Sequence, residues 1–234
     1  MSLVLGQSTK QKKARAQSEL RHLILTQQLA PGADLDEMSL SERWSLSRTP
    51  LRDVLRQLAG EGYVDIRENR GARVTEMSQG SLRDFFQAAP MIYSAVLQLA
   101  AQNASAKQIL ALKAAQSEFK EALQGRDIAT RALANRQFHE ITGEMAGNTY
   151  LLPSFKRLLI DHTRVSMAFF RPSGSQTLEH LEKASDQHDQ IIAAIEEGNA
   201  KTAGSLAIAH WKLSRDRIEQ FVLPAGIDLG IEIA

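Results

Sequence analysis

The chain has 234 residues, 43% hydrophobic and 24% charged, with 14 Gly, 6 Pro and no Cys. This is too long for one small core and fits two domains of ordinary size, whose apolar content suffices to offset the entropy of ordering most of the chain. The lack of cysteine excludes disulfides, thiolate metal sites and a thiol nucleophile, and no general affinity for polyanions follows from the net charge of +1, so a nucleic-acid surface has to be local.

Residues 1–6 are mildly apolar but precede Lys10, Lys12 and Lys13, the reverse of a secretory signal. No apolar run reaches membrane-spanning length, so a cytoplasmic protein with no membrane partner is expected. Over residues 18–29, Leu20, Leu23, Ile24 and Leu29 recur at helical spacing until Pro31-Gly32 ends the segment. A second, short helix is expected over 39–44, where the Ser39 hydroxyl can cap free amides while Glu42 reaches back in an S-x-x-E capping box. A third begins after Ser47, with Pro50 in the first turn where its missing amide hydrogen does no harm, and Leu51, Val54, Leu55 and Leu58 along one stripe. Gly60 and Gly62 stop it. Residues 63–67 then alternate as a strand, Asn69-Arg70-Gly71 turns the chain, and 72–75 returns, which predicts a two-stranded wing.

Helix, turn, capped helix and basic hairpin, in that order, predict a winged helix-turn-helix domain over residues 1–76. With the leucine stripe turned inward, Thr49, Arg52 and Arg56 project outward, and Arg48 flanks them at the first turn. Such a face fits the major groove, where Arg can donate two bonds to guanine and Thr can meet a thymine methyl or a phosphate. The helix N-terminus at Ser47 favours a phosphate, and Arg70 beside the side-chain-free Gly71 can approach a groove edge, with Arg67 and Arg73 on either side.

From about Gly80 the pattern becomes helical, with segments expected over 81–103, 106–124, 127–146, 150–170, 176–197 and 200–222. Breaks at Gly125, Gly147-Asn148, Pro172-Ser173-Gly174 and Gly198-Asn199 are short, as neighbouring antiparallel helices require. The fold class is therefore mainly α: the winged helix-turn-helix followed by an all-helical antiparallel bundle of about six helices. Residues 80–222 form the expected effector-binding and dimerisation domain, and 223–234 a loosely ordered tail.

Three histidines have interior-looking surroundings. His139 lies one turn after Asn135, His188 shares a face with Ile191, Ile192 and Ile195, and His210 lies between Leu206 and Leu213. Each can be a hydrogen-bonded core residue. Alternatively, three neutral imidazoles from different helices can converge on one divalent cation such as Zn, Ni or Mn, with the Asn135 carbonyl as a fourth ligand.

The stretches Leu29-Ala30-Pro31-Gly32, Ser47-Arg48-Thr49-Pro50-Leu51-Arg52-Asp53-Val54-Leu55, Leu58-Ala59-Gly60-Glu61-Gly62-Tyr63-Val64 and Asn69-Arg70-Gly71-Ala72-Arg73-Val74 resemble the signature of GntR regulators across the whole N-terminal domain. The resemblance implies that Arg48, Thr49 and Arg52 contact operator bases and phosphates, that Ser39 approaches the DNA backbone, and that the wing enters the minor groove. Asn135-Arg136-Gln137-Phe138-His139, Gly147-Asn148-Thr149-Tyr150-Leu151, His188-Asp189-Gln190-Ile191-Ile192-Ala193-Ala194-Ile195 and His210 more diffusely resemble the helical FCD effector domain of the FadR/VanR branch. That likeness implies a metal held by His139, His188 and His210, with Asn135 where many members have Asp, a change that removes the anionic ligand. A second departure is Ala88-Ala89-Pro90-Met91-Ile92-Tyr93, where many relatives carry an Arg that helps hold a carboxylate effector. His162 and Arg164, with Tyr93, are the candidates for the effector pocket, possible substitutes for that Arg in holding an organic acid.

The implied function is a ligand-responsive transcriptional regulator, a repressor in the commoner outcome, that binds a pseudo-palindromic operator in double-stranded DNA as a homodimer. Two alternatives stay open. One is a metal-dependent helical-bundle enzyme, although paired Glu-x-x-His motifs are missing and the single such spacing, Glu19 to His22, lies outside the bundle. The other is a dimeric DNA-binding scaffold that senses nothing.

Overall fold

The computed structural model of the chain describes residues 8–68, 70–171 and 176–222. The turn residue Asn69, the Pro172-Ser173-Gly174 break, the start of the chain and the tail at 223–234 lie outside the described residues. The chain forms two compact units, Met1–Met77 and Ser78–Ala234.

The first unit contains α1 (Thr9–Leu25), β1 (Asp34–Leu35), α2 (Glu37–Trp44), α3 (Arg48–Glu61), β2 (Val64–Arg67) and β3 (Gly71–Val74). Its three strands form an antiparallel sheet in the order β1-β3-β2, with Val64 opposite Val74 and Arg67 opposite Gly71. Leu20 and Ile24 of α1 and Leu51, Val54, Leu55 and Leu58 of α3 are fully buried, joined by Trp44, Tyr63, Val64 and Val74. Burial of this stripe is what fixes the opposite face of α3 toward solvent.

Three local expectations are corrected. First, α1 begins nine residues before the expected start, because Ser8 and Gln11 form the capping box and the polar stretch that follows continues the helix. Second, the N-cap of α2 is Asp36, whose carboxylate accepts from the Met38 amide, so Ser39 lies inside the helix and its hydroxyl bonds to Asp36 instead of capping. Third, Ser47 has the extended backbone of an N-cap but makes no side-chain cap hydrogen bond. The strand β1 was not expected, since two residues carry no periodicity.

The second unit contains α4 (Gln79–Asn103), α5 (Ala106–Gln124), α6 (Ile128–Ala146), α7 (Leu151–Phe169), α8 (Gln176–Glu196) and α9 (Ala200–Val222). Ser105 with Gln108 and Asp127 with the Ala129 and Thr130 amides cap α5 and α6, and Gly147 ends α6 at φ +62°. The first helix of the unit packs against the last, α4 on α9, and also on α6, while α5 packs on α6 and α8. Pro90 is buried within an unbroken α4. Gly143 lets α6 approach α7 closely, since a β-carbon there would run into the Phe155 ring. Arg136 of α6 locks the same pair by donating to the Leu159 carbonyl of α7 at 3.0 Å, while its other nitrogen is held by Glu140 of its own helix at 2.7 Å.

Candidate functional site

On the first unit, Arg48, Thr49, Arg52 and Arg56 all lie exposed on α3. Arg52 donates to Glu37 of α2 at 3.1 Å and Arg56 to Asp53 at 3.4 Å, both with side chains more than half exposed. Among the described residues no carboxylate lies within ion-pair distance of Arg48 or Arg70. The other oxygen of Glu37 lies 3.5 Å from where a β-carbon on Gly71 would stand, so this one carboxylate reaches both the outward helix and the wing. Gly71 itself has φ +72°, a conformation that β-carbons disfavour. Ser39 and Ser47 are exposed on the same helix-turn-helix.

The wing cations divide. Arg73 donates to the Gly32 carbonyl at 2.5 and 3.1 Å and pairs with Glu76 at 2.6 Å, and Arg67 lies 3.8 Å from Asp34. Both are directed at β1 and the loop before it, leaving Arg70 as the cation at the exposed hairpin tip.

In the second unit, α6, α8 and α9 bring His139, His188 and His210 together, all buried, with candidate ligand atoms within 4.8 Å of one another. The Nε2 atoms of His188 and His210 face each other at 3.3 Å. Two imidazole nitrogens on one tetrahedral Zn, bonded at about 2.0–2.1 Å, stand about 3.3–3.4 Å apart. The Nδ1 atoms are occupied from behind: His188 by the Gln116 carbonyl and His210 by the Gln187 carbonyl, each at 3.0 Å. His139 Nε2 is buried with no hydrogen-bond partner among the described residues. A buried ring nitrogen without a hydrogen-bond partner and two more facing each other fit a divalent cation, and the residues present can hold one. Phe138 stacks on His188 at 3.7 Å and fixes its plane.

Burial holds His139 and His188 well below the usual imidazole range and lowers His210 to about 4, so all three are neutral near pH 7, the form that ligates. Asn135 is buried one turn before His139. It brings no charge, and Asp161 is already bonded to Arg157 at 3.0 Å and Arg164 at 2.9 Å.

A fourth histidine joins the group. The His162 ring lies 5.0 Å from that of His139, and its Nδ1 is 2.5 Å from the hydroxyl of Tyr93 on α4. Burial lowers His162 to about 3 and raises Tyr93, so a neutral phenol faces a neutral imidazole. Arg164, two residues and so about 200° around the helix from His162, is fully buried and donates to Asp161, which sets it apart from the imidazoles. Sequence reasoning missed Gln116 and Gln187, because an amide on a helix face has no spacing signature until its histidine partner is known. An open groove of ≈ 690 Å³ between α5 and α6, lined by Glu118, Arg126, Asp127 and Gln137 among others, lies apart from the histidines.

Residues 84–213 match the FCD domain model, more than half of the chain, and residues 12–74 match that of bacterial regulatory proteins of the gntR family. The chain belongs to the GntR family of transcriptional regulators. This GntR regulator is 29% identical over 194 residues to a probable D-xylose utilization operon transcriptional repressor of Paenarthrobacter nicotinovorans, covering 80% of this chain and 81% of that one. It is 26% identical over 196 residues to the HTH-type transcriptional repressor GlaR of Escherichia coli (strain K12), covering 82% and 88%. Among solved structures, E. coli McbR/YncC shares the fold with a TM-score of 0.75 at 17% identity, covering 89% of this regulator and 97% of the other chain. GntR regulators bind DNA and FCD domains bind small-molecule effectors, so the regulator is not an enzyme and the bundle-enzyme alternative is set aside. No helix among the described residues is long and apolar enough to cross a membrane.

Proposed function

We propose that this regulator is a cytoplasmic repressor that binds a pseudo-palindromic operator as a symmetric homodimer, one α3 per half-site, and is released or retained by a ligand in its helical domain. The observation that carries the DNA reading is the anchored α3, whose leucines are buried while Arg48, Thr49, Arg52 and Arg56 face solvent. Arg48, Thr49 and Arg52 read base edges and phosphates in the major groove, with Arg56 beside them. Ser39 and Ser47 meet the backbone. Arg70, at a tip that Gly71 allows to come close, enters the minor groove. Two copies are needed because a single module makes too few contacts for genomic specificity.

The sensing reading assigns one divalent cation to His139, His188 and His210, with the Asn135 carbonyl as a neutral further ligand. When bound, such an ion supplies a Lewis-acidic centre to which an organic acid can attach. Tyr93 and His162 are the polar groups assigned to that acid, and Arg164, bonded to Asp161 on another side of α7, is left out of the set. The ligand shifts operator affinity only as far as it prefers one spacing of the two recognition helices. The scaffold alternative, a dimer that senses nothing, predicts no thermal shift with any metal or acid.

The test is fluorescence anisotropy on the DNA upstream of the coding region against random DNA, at about 150 mM salt, where non-specific binding is suppressed. Tight, sequence-dependent binding is expected. Binding no tighter than to random DNA overturns the assignment of α3.

A further inference from the structure

We propose that Gln116 and Gln187 are positioning residues of the cation site: each offers its side-chain carbonyl to the Nδ1–H of one imidazole, which turns the Nε2 lone pairs of His188 and His210 toward each other. Gln116 also ties the buried site to the Asp189 carboxylate near the surface. The inference rests on reading the three histidines as cation ligands and deepens that reading by naming what orients them.

The argument starts with the Gln116 amide, whose orientation its surroundings decide. Its Nε2 faces three acceptors, the Ser185 carbonyl at 2.9 Å, the Ser185 hydroxyl at 3.2 Å and Asp189 Oδ1 at 3.1 Å. Turning the amide over would set its oxygen against two or three oxygens, so Oε1 is the atom left for His188. A carbonyl can only accept, which places the proton of His188 on Nδ1 and leaves Nε2 bare. Asp189 is in turn paired with Lys120 at 2.8 Å. The chain of contacts Lys120, Asp189, Gln116, His188 thus extends the familiar carboxylate–histidine–metal arrangement by one amide.

Gln187 makes the matching contact to His210 Nδ1 at 3.0 Å, without a comparable clamp on its own amide among the described residues. With both amides as described, two bare nitrogens face each other at 3.3 Å, an arrangement that a cation between them stabilises.

The experiment uses the full-length protein stripped of metal and titrated with Co²⁺ or Zn²⁺ alone against a competing chelator, with the visible Co²⁺ spectrum as a second readout. Gln116→Met and Gln187→Met are each expected to weaken binding by about 10- to 100-fold. Gln187→Glu is expected to tighten it, because an anionic acceptor makes His210 a better donor to the ion. Asp189→Asn, a substitution at the surface, is expected to weaken binding less than Gln116→Met and keeps the test open if that variant does not fold. Equal affinities and unchanged spectra across the glutamine variants, with binding abolished by His188→Ala, would overturn the positioning roles and leave the site standing. A loss with Gln187→Glu as large as with Gln187→Met would reduce Gln187 to packing and overturn its role. No uptake of either ion by the unaltered protein, or uptake indifferent to His188→Ala, would overturn the cation reading and this inference with it.

Discussion

Arginines of the same sequence character do different work according to what lies within reach. Arg48 has no carboxylate partner among the described residues, whereas Arg73 is spent on the Gly32 carbonyl and Glu76. Arg48→Ala is therefore expected to cost about 1 to 3 kcal/mol at a cognate operator with an unchanged melting temperature. Arg73→Ala is expected to lower the melting temperature and to affect DNA binding only through the wing; anisotropy and thermal unfolding on both variants separate the two. Glu37 is the residue-scale surprise, since it holds Arg52 at 3.1 Å while lying against Gly71. A base edge has to compete with that carboxylate for Arg52. Glu37→Gln should leave Arg52 less engaged and strengthen binding to random and cognate DNA alike, read as a shift of both anisotropy curves to lower protein concentration.

Among the elements, helix starts depend on which competing cap wins. Asp36 and Ser39 compete to cap α2, and the structure selects Asp36 because the chain leaves β1 extended at that residue and its carboxylate reaches the Met38 amide, which leaves Ser39 inside the helix. Asp36→Ala is expected to destabilise the first unit, read as a lower urea midpoint. Ser39→Ala should leave stability nearly unchanged, and equal losses in urea unfolding would reverse the assignment. The contact between α6 and α7 is tighter than their sequences suggest, because Gly143 admits the Phe155 ring. Gly143→Ala should destabilise by about 1 to 3 kcal/mol through overpacking, despite the better helix propensity of alanine.

For the molecule as a whole, a cluster of buried neutral histidines links stability to pH. In the folded chain His162 is lowered to about 3 and His210 to about 4 by burial, with His139 and His188 also well below the usual range. In the unfolded chain they titrate near 6.5. Below that pH the unfolded state binds more protons, so stability is greatest above about 6.5 and falls with acidification, by up to about 1.4 kcal/mol per pH unit for each group. Urea unfolding of the metal-stripped protein at about pH 7.5, 6 and 5 measures this, and a flat profile would contradict the burial of the cluster. Saturating Zn²⁺ at neutral pH should raise the midpoint as ligand binding to the folded state alone requires.

Local chemistry and periodicity were enough, in the sequence, for the mainly helical fold class, the winged helix-turn-helix order and the leucine face of α3, because each depends on residues within a few turns of one another. Family membership was legible for the same reason in the Ser47-Arg48-Thr49-Pro50 and Asn69-Arg70-Gly71 stretches. The sequence also marked His139, His188 and His210 as inward-facing, since each sits on its own apolar stripe. It could not say that α4 packs on α9, that the three rings meet within 4.8 Å, that His162 joins them against Tyr93, or that Gln116 and Gln187 stand behind two of them. Those facts are set by side chains far apart in the chain, 72 residues for Gln116 and His188 and more between α4 and α9, and only the packing of whole helices decides which of them touch.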